Sequence, residues 1–163
     1  MFDAHEYRKS LGVFATGVAI ATSTDSQGGP VGLTINSFTS VSLAPPLILW
    51  SLRNTSSSLP VFERSEYFAI NILAADQHRL SRRFSSAIAD KFNGVSISPS
   101  QDRIPLIEGC AAQFECIRRR YYEEGDHVVF IGEVIRHSRT GRPHEPLVFC
   151  DGAYKRLGEL RVG

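Results

Sequence analysis

The chain has 163 residues, which fits one domain with a core large enough to fold without disulfide or metal crosslinks. Its 18 Lys and Arg residues nearly balance its 17 Asp and Glu residues, so the formal net charge is +1. That balance excludes the broad basic surface of a nucleic-acid-binding protein, and any anion site must be local. We therefore expect a single domain over residues 1–163 and no nucleic-acid partner.

The cysteines and the N-terminus indicate the compartment. Cys110, Cys116 and Cys150 are odd in number and lack C-x-x-C spacing, which indicates neither a disulfide framework nor a zinc site. The first residues carry charges throughout, and no window approaches the roughly 18 apolar residues of a membrane span. We expect a cytoplasmic protein without a signal peptide, a metal or a membrane partner.

The N-terminal segment predicts a helix. Asp3 and Glu6 resemble a capping box, and Tyr7, Leu11 and Phe14 follow at helical spacing. We expect a helix of about three turns that packs one face on the rest of the domain.

The next stretch predicts a polar loop between strands. Residues 18–23, 31–35 and 47–50 have strand character; residues 25–29 form a turn, and Pro45-Pro46 bounds the last strand. Neutral donors beside exposed backbone N–H groups suit a polar heteroaromatic ring or a phosphate, and a solvated turn is the alternative. The short polar side chains of this loop region are Thr34, Asn36, Ser37, Thr39, Ser40 and Ser42.

A second hydroxyl cluster, residues 55–58, follows Arg53 and precedes a predicted helical turn over residues 61–65. Because helix N-termini present free N–H groups, the cluster predicts a phosphate site to which Arg53 adds charge. An ordinary serine N-cap is the alternative.

A strand over residues 67–73 leads to a helix that Asp76 is expected to cap, with Leu80, Phe84 and Ile88 on its inward face. The other face could reach a ligand phosphate or could simply be solvated. Its basic residues are Arg79, Arg82 and Arg83.

A long hairpin follows a loop over residues 95–108 that contains short strand pieces. Its first strand begins at Gly109 and runs to Tyr122, and residues 123–126 make a tight turn. His127 begins the returning strand, at the rim of the predicted barrel, although a lone histidine is often a satisfied surface or core residue.

The remaining pattern completes the fold prediction. Residues 146–149 predict a last strand, and Tyr154 lies in the terminal segment, where core or interface packing is the alternative to a site role. Many short antiparallel strands with two convincing helices predict a mainly β, closed or split barrel with flanking helices.

Several motifs, in order, resemble the flavin reductase family. They are TINSFTSVSLAPPLIL, the serine-rich turn after it, the strand FAINIL, the run FS…DKFNGV, and Gly125-Asp126-His127. The resemblance extends from about Tyr7 to Leu157. It implies an FMN-binding split β-barrel with Greek-key-like antiparallel strands, assembled as a homodimer. It also implies reduction of FMN or FAD by NADH or NADPH, with the reduced flavin passing to a partner flavin-dependent monooxygenase.

The same resemblance implies the site residues. His127 is expected against the nicotinamide ring or the flavin edge, as the catalytic residue. Gly125 and Asp126 shape its turn. The flavin-binding positions implied are Thr34, Ile35, Asn36, Ser37, Ser40, Ser51, Leu52, Arg53, Ser56, Ser57, Ser58, Phe92, Gly125, Asp126, His127 and Tyr154.

Motifs of other enzyme classes are missing from the sequence. There is no GxGxxG after a strand, no Walker A loop, no GxSxG elbow and no HExxH. That pattern fits hydride transfer, in which the cofactor carries the chemistry and the protein supplies orientation. Two alternatives stay open: an oxidase similar to pyridoxamine-phosphate oxidases with a tightly held flavin, and a non-catalytic flavin or haem carrier.

Overall fold

The computed structural model describes residues 2–140 and 145–159, and strands dominate it. The helices are α1 (Ala4–Gly12), α2 (Leu59–Arg64) and α3 (His78–Ser85). The strands are β1 (Thr16–Gly17), β2 (Ala19–Thr24), β3 (Pro30–Ile35), β4 (Thr39–Leu43), β5 (Pro46–Arg53), β6 (Tyr67–Ile72), β7 (Ile97–Pro99), β8 (Pro105–Ile107), β9 (Ala112–Glu124), β10 (His127–Arg139), β11 (Val148–Cys150) and β12 (Ala153–Lys155). Among the described residues, no helix has the length and apolar character needed to cross a membrane.

Seven strands form one antiparallel sheet in the order β3-β2-β6-β9-β10-β5-β4. The two edge strands, β3 and β4, are consecutive in the chain, so the short link between them brings the sheet's edges together. Ser37, in that link, fastens the closure: its hydroxyl donates to the Ser51 carbonyl at 3.0 Å and accepts from the Ser51 N–H at 2.9 Å. The result is a split β-barrel with a non-sequential, Greek-key-like strand order, and the predicted fold class is confirmed.

Aromatic side chains fill the barrel. The Trp50 ring stacks on Phe130 with centroids 4.7 Å apart, and Phe62 meets it edge-on at 5.0 Å. Burial alternates along most of β5 and along the first half of β10, because successive side chains of a strand point to opposite faces. Over residues 47–52 and 127–132 the half-buried positions alternate with buried ones, and the half-buried set forms an outer face.

A second apolar cluster lies under α3 and includes Phe84, Leu73 and Leu147. Gly32 on β3 allows α3 to come this close. A Cβ at Gly32 would lie 2.8 Å from Cε1 of Phe84 and 3.1 Å from Cζ of Phe92. The glycine thus sets the distance between the helix and the sheet.

Helix α1 departs from its prediction. Asp3 caps it as expected, since its Oδ1 accepts from the N–H groups of His5 and Glu6. However, no residue of α1 is buried, and Phe14 lies beyond the helix end at 77% exposure. The prediction that this helix packs a face on the barrel is wrong, because periodicity shows which residues share a face but not what covers them.

Helix α3 also differs in detail. Asp76 lies in a 3₁₀ turn rather than at the cap, and the Gln77 side chain accepts from the N–H of Ala74 at 3.0 Å. Phe84 packs inward as expected, but the helix ends at Ser85, so Ile88 lies beyond it and is 46% exposed. The strand predicted over residues 146–149 overlaps β11, and the sequence missed β12, which pairs with β11 in a hairpin.

Candidate active site

A cavity of about 320 Å³ opens at the rim of the barrel, on the outer face of β5 and β10. We call it the rim hollow. The antiparallel register opposes His127 to Arg53 and Val129 to Ser51, and directly opposed residues point to the same face. The hollow is lined by residues 33–37, residues 51–53, Thr55, Ser56 and His127.

His127 is held by its neighbour in the turn. Its Nδ1 lies 2.7 Å from Oδ1 of Asp126, and this hydrogen bond lowers the pKa of the Asp126 carboxyl below its usual value. The Asp126 carbonyl accepts from the Asn54 N–H at 3.1 Å, which ties the hairpin turn to the serine-rich turn. Because Nδ1 is engaged, Nε2 is the ring nitrogen left for a ligand in the rim hollow.

Two of the predicted hydroxyls are already used by the fold. Ser37 exchanges two hydrogen bonds with the backbone of Ser51, and the Thr34 hydroxyl donates to the Ser81 carbonyl at 2.7 Å. Asn36 lies exposed on the loop between them. Backbone groups and the Asn36 amide are therefore better placed than the Ser37 hydroxyl to meet a ligand's polar edge.

A second cavity, of about 300 Å³, shares residues 34–36 with the rim hollow. We call it the tyrosine hollow, because Tyr154 closes it together with Phe149 and two serines of α3. The Tyr154 hydroxyl hydrogen-bonds to Ser81 Oγ at 2.8 Å, and the Arg82 guanidinium lies 5.8 Å from the ring centroid. The ring is thus fixed beside the rim hollow, with a cation on its face.

A third cavity, of about 350 Å³, lies at the start of β3. We call it the lysine hollow; it is lined by residues 30–32, Ser57, Ser58 and residues 87–92. Ser58 precedes α2, but its side chain makes no cap hydrogen bond. Phe92 lines this cavity and meets Phe84 edge-on at 4.9 Å, so it serves the core as well.

The structure distributes the predicted residues over these cavities. The rim hollow holds Thr34, Ile35, Asn36, Ser37, Ser51, Leu52, Arg53, Ser56 and His127. Ser57, Ser58 and Phe92 line the lysine hollow, and Tyr154 lines the tyrosine hollow.

Three predicted positions line none of them. Gly125 and Asp126 lie in the turn, where Asp126 holds His127. Ser40 lies exposed on the edge strand β4, paired with Ile48, so the structure does not bring it to the site. The chain enters β4 at Thr39, and this carries Ser40 away from the rim.

Sequence reasoning missed several lining residues. Ser81 and Ser85 are one helical turn apart on α3 and face the tyrosine hollow. Their spacing was available as a signal, since residues four apart share a helix face. Lys91 lines the lysine hollow next to Phe92, and only the fold brings it near the serine-rich turn.

The curled sheet, with a hydroxyl-rich cavity at its rim, defines a split barrel. The chain belongs to the flavin reductase family, because the flavin reductase like domain matches residues 11–158. It is 42% identical over 155 residues to an NADH-dependent FMN reductase, SmoA, of Agrobacterium fabrum, covering 95% of this chain and 87% of the relative. It is 39% identical to the reductase subunit HsaB of a flavin-dependent monooxygenase of Rhodococcus jostii, covering 93% and 77%.

Solved structures agree. The NADH:FAD oxidoreductase SgcE6 of Streptomyces globisporus, crystallised with NAD and FAD fragments, superposes with a TM-score of 0.90 at 36% identity, covering 96% of this chain and 93% of that one. Some relatives are longer: the chain covers 45% of a probable flavin reductase of Rhizobium meliloti, at 40% identity.

Proposed function

We propose that the protein is an NAD(P)H:flavin oxidoreductase that reduces free FMN or FAD. The observation that carries this proposal is the pair of neighbouring cavities at the barrel rim, which share residues 34–36 in their linings and have His127 on one side and Tyr154 on the other. Each is within the size range of small-ligand sites, about 300–1,000 Å³. Their lining is mainly neutral, which suits the uncharged edge of an isoalloxazine.

In the proposed reaction, a hydride passes from C4 of the dihydronicotinamide to N5 of the flavin. The nicotinamide is oxidised, the flavin is reduced, and a proton from water completes the reduced flavin. No side chain has to exchange a proton with the reacting atoms, so the protein acts by alignment. Residues 34–36 would hold the polar edge of the ring, and Nε2 of His127 would hydrogen-bond the nicotinamide carboxamide.

We also propose that the reduced flavin leaves for a flavin-dependent monooxygenase. The support is that the relatives include reductase components of such enzymes, from Rhodococcus jostii and from Acinetobacter baylyi. A rim hollow that opens to solvent allows the product to leave. We place this exchange in the cytoplasm, where nicotinamide nucleotides are available, in keeping with three cysteines that are all free thiols.

A homodimer is proposed from the outer face of β5 and β10. Leu49 and Ile131 oppose each other on that face, next to Ser51 and Val129. The strip is apolar, half-buried within one copy, and continuous with the rim hollow. A second copy could cover this strip in a symmetric dimer.

Steady-state turnover tests the reductase proposal. A trace of protein is mixed with NADH, or NADPH, and an excess of FMN or FAD, and the nicotinamide absorbance band is followed. We expect many turnovers for each protein molecule. Oxidation that stops at one equivalent, with flavin retained through gel filtration, would favour the carrier; oxidation of pyridoxamine phosphate without a nicotinamide would favour the oxidase.

Sedimentation equilibrium tests the dimer. We expect the parent protein to sediment as two copies and Ile131→Glu to sediment as one, because a buried unpaired carboxylate opposes association. Glu133→Gln, two residues along the same strand, is the matched control and should remain a dimer. A monomeric parent protein would refute the assembly.

A further inference from the structure

The Asp126 side chain meets the rim hollow through His127. Its Oδ1 lies 2.7 Å from Nδ1 of His127, and His127 lines the hollow whereas Asp126 does not. Asp126 is exposed, and its main chain is fixed because its carbonyl accepts from the Asn54 N–H at 3.1 Å. A change in the Asp126 side chain should therefore act on a ligand through the imidazole and not by direct contact.

This hydrogen bond determines which ring nitrogen carries the proton. The bond lowers the pKa of the Asp126 carboxyl below its usual value, so the group is ionised at neutral pH and can only accept hydrogen bonds. Nδ1 of His127 must then be the N–H donor. In a neutral imidazole with its proton on Nδ1, Nε2 carries a lone pair and can only accept.

The other charged residues beside the ring are compatible with this arrangement. Glu124 and Arg53 lie directly across from His127 on the two neighbouring strands. Within residues 2–140 and 145–159, however, the charged side chain that hydrogen-bonds the His127 ring is Asp126. Arg53 favours the ionised form of Asp126, because its charge further lowers the pKa of that carboxyl.

A nicotinamide offers Nε2 of His127 one suitable partner. The carboxamide has an NH2 group that donates and a carbonyl oxygen that accepts. A lone pair on Nε2 binds the NH2 group and repels the carbonyl oxygen. The carboxamide should therefore turn its NH2 end toward His127.

We propose that Asp126 is a positioning residue, which holds His127 in the tautomer protonated at Nδ1 and so makes the enzyme selective for nicotinamides that carry a carboxamide NH2 group. This rests on the proposed function and adds to it the direction of the hydrogen bond at the nicotinamide and the residue that sets this direction. The acetylpyridine analogue has a methyl group in place of the NH2 group and cannot donate to Nε2.

Nitrogen-15 NMR of the histidine rings tests the tautomer without any ligand. In mildly alkaline buffer, we expect the parent protein to carry the His127 proton on Nδ1, with the signal assigned by its loss in His127→Ala. In Asp126→Asn both tautomers should appear, because an amide can accept from Nδ1–H or donate to an unprotonated Nδ1. The matched control is Glu123→Gln, which removes a charge from the same hairpin opposite Val128 and should keep the parent tautomer. A parent ring protonated at Nε2 would overturn the proposal.

Substrate selectivity tests the consequence. The measured quantity is the ratio of kcat/KM for NADH to kcat/KM for reduced 3-acetylpyridine adenine dinucleotide, with FMN as acceptor. Comparing this ratio between proteins cancels the different intrinsic reactivity of the analogue. We expect Asp126→Asn to lower the ratio about fivefold, the value of one hydrogen bond, because its imidazole can donate to the acetyl oxygen. Glu123→Gln should leave the ratio unchanged.

The contrary outcomes separate this role from a structural one. Equal losses with both substrates in Asp126→Asn would mean that Asp126 only supports the turn, and parent-like kinetics with both would mean that it has no role at the site. Calorimetric binding of NAD⁺ and its acetylpyridine analogue repeats the comparison without turnover. A parent protein that fails to oxidise NADH would refute the proposed function, whereas NADH oxidation with His127 protonated at Nε2 would refute only the role of Asp126.

Discussion

The two faces of β5 and β10 differ in what they do. On the inner face, Trp50, Leu52, Val128 and Phe130 are at most 5% exposed. On the outer face, Ser51 and His127 line the rim hollow. The apolar strip beside the hollow consists of Leu49, Val129 and Ile131. One pair of strands thus assigns stability and ligand contact to alternate residues, so substitutions on the two faces should have separable effects.

The largest effect should come from the inner face. Phe130→Ala removes the ring that stacks on Trp50 at 4.7 Å, and we expect the free energy of unfolding to fall by about 3–5 kcal/mol. Val129→Ala, the adjacent residue on the outer face, should cost clearly less. Urea denaturation of both variants measures the difference, and equal losses would show that the two faces are not distinct in stability.

Gly32→Ala should give the next largest effect. The added methyl would meet Phe84 and Phe92 at 2.8 and 3.1 Å, and we expect a loss of about 1–3 kcal/mol from overpacking. The control is Gly17→Ala, because a Cβ there meets no atom within 4 Å. A Gly32→Ala protein as stable as the Gly17→Ala protein would show that α3 can move away from β3 at little cost.

On the outer face, His127→Ala should leave stability almost unchanged and alter catalysis. We expect the nicotinamide KM to rise, or kcat to fall, by about tenfold, the value of one hydrogen bond, while flavin still binds. His137→Ala, exposed on the same strand, is the control. Parent-like kinetics in His127→Ala would remove that histidine from the mechanism.

The smallest effect should be a pH dependence at Asp126. Its hydrogen bond to His127 lowers its pKa in the folded protein, so the stabilisation is present above the unfolded pKa, about 3.9, and is lost as the pH falls through the folded value. Asp126→Asn does not titrate in this range. We expect the difference in Tm between parent and variant to shrink between about pH 5 and pH 3; a constant difference would contradict the hydrogen bond.

The local pattern of residue types in the sequence was enough to predict much of this fold. The alternation along residues 109–122 and 127–137 predicted the long hairpin, which the structure forms over residues 112–124 and 127–139, and the turn residues predicted His127 at the start of its second strand. The polar run of residues 34–42 was also found from composition, and three of its six polar residues, Thr34, Asn36 and Ser37, line the rim hollow.

The features that the sequence did not predict depend on tertiary contacts. Tyr7 and Leu11 have helical spacing, but spacing does not say whether the barrel or another surface covers them. Ser40 belongs to the same polar run as Asn36, yet the start of β4 carries it to an edge strand. Lys91 is 33 residues beyond Ser58 in the sequence, and only the packing of α3 against β3 brings them to one cavity.

A crystal structure of the protein with FMN tests the central claim most directly. The isoalloxazine should lie on the outer face of the barrel, against residues 34–36 and within hydrogen-bond reach of His127. A ring bound elsewhere, with the rim hollow filled by the protein's own side chains, would contradict it.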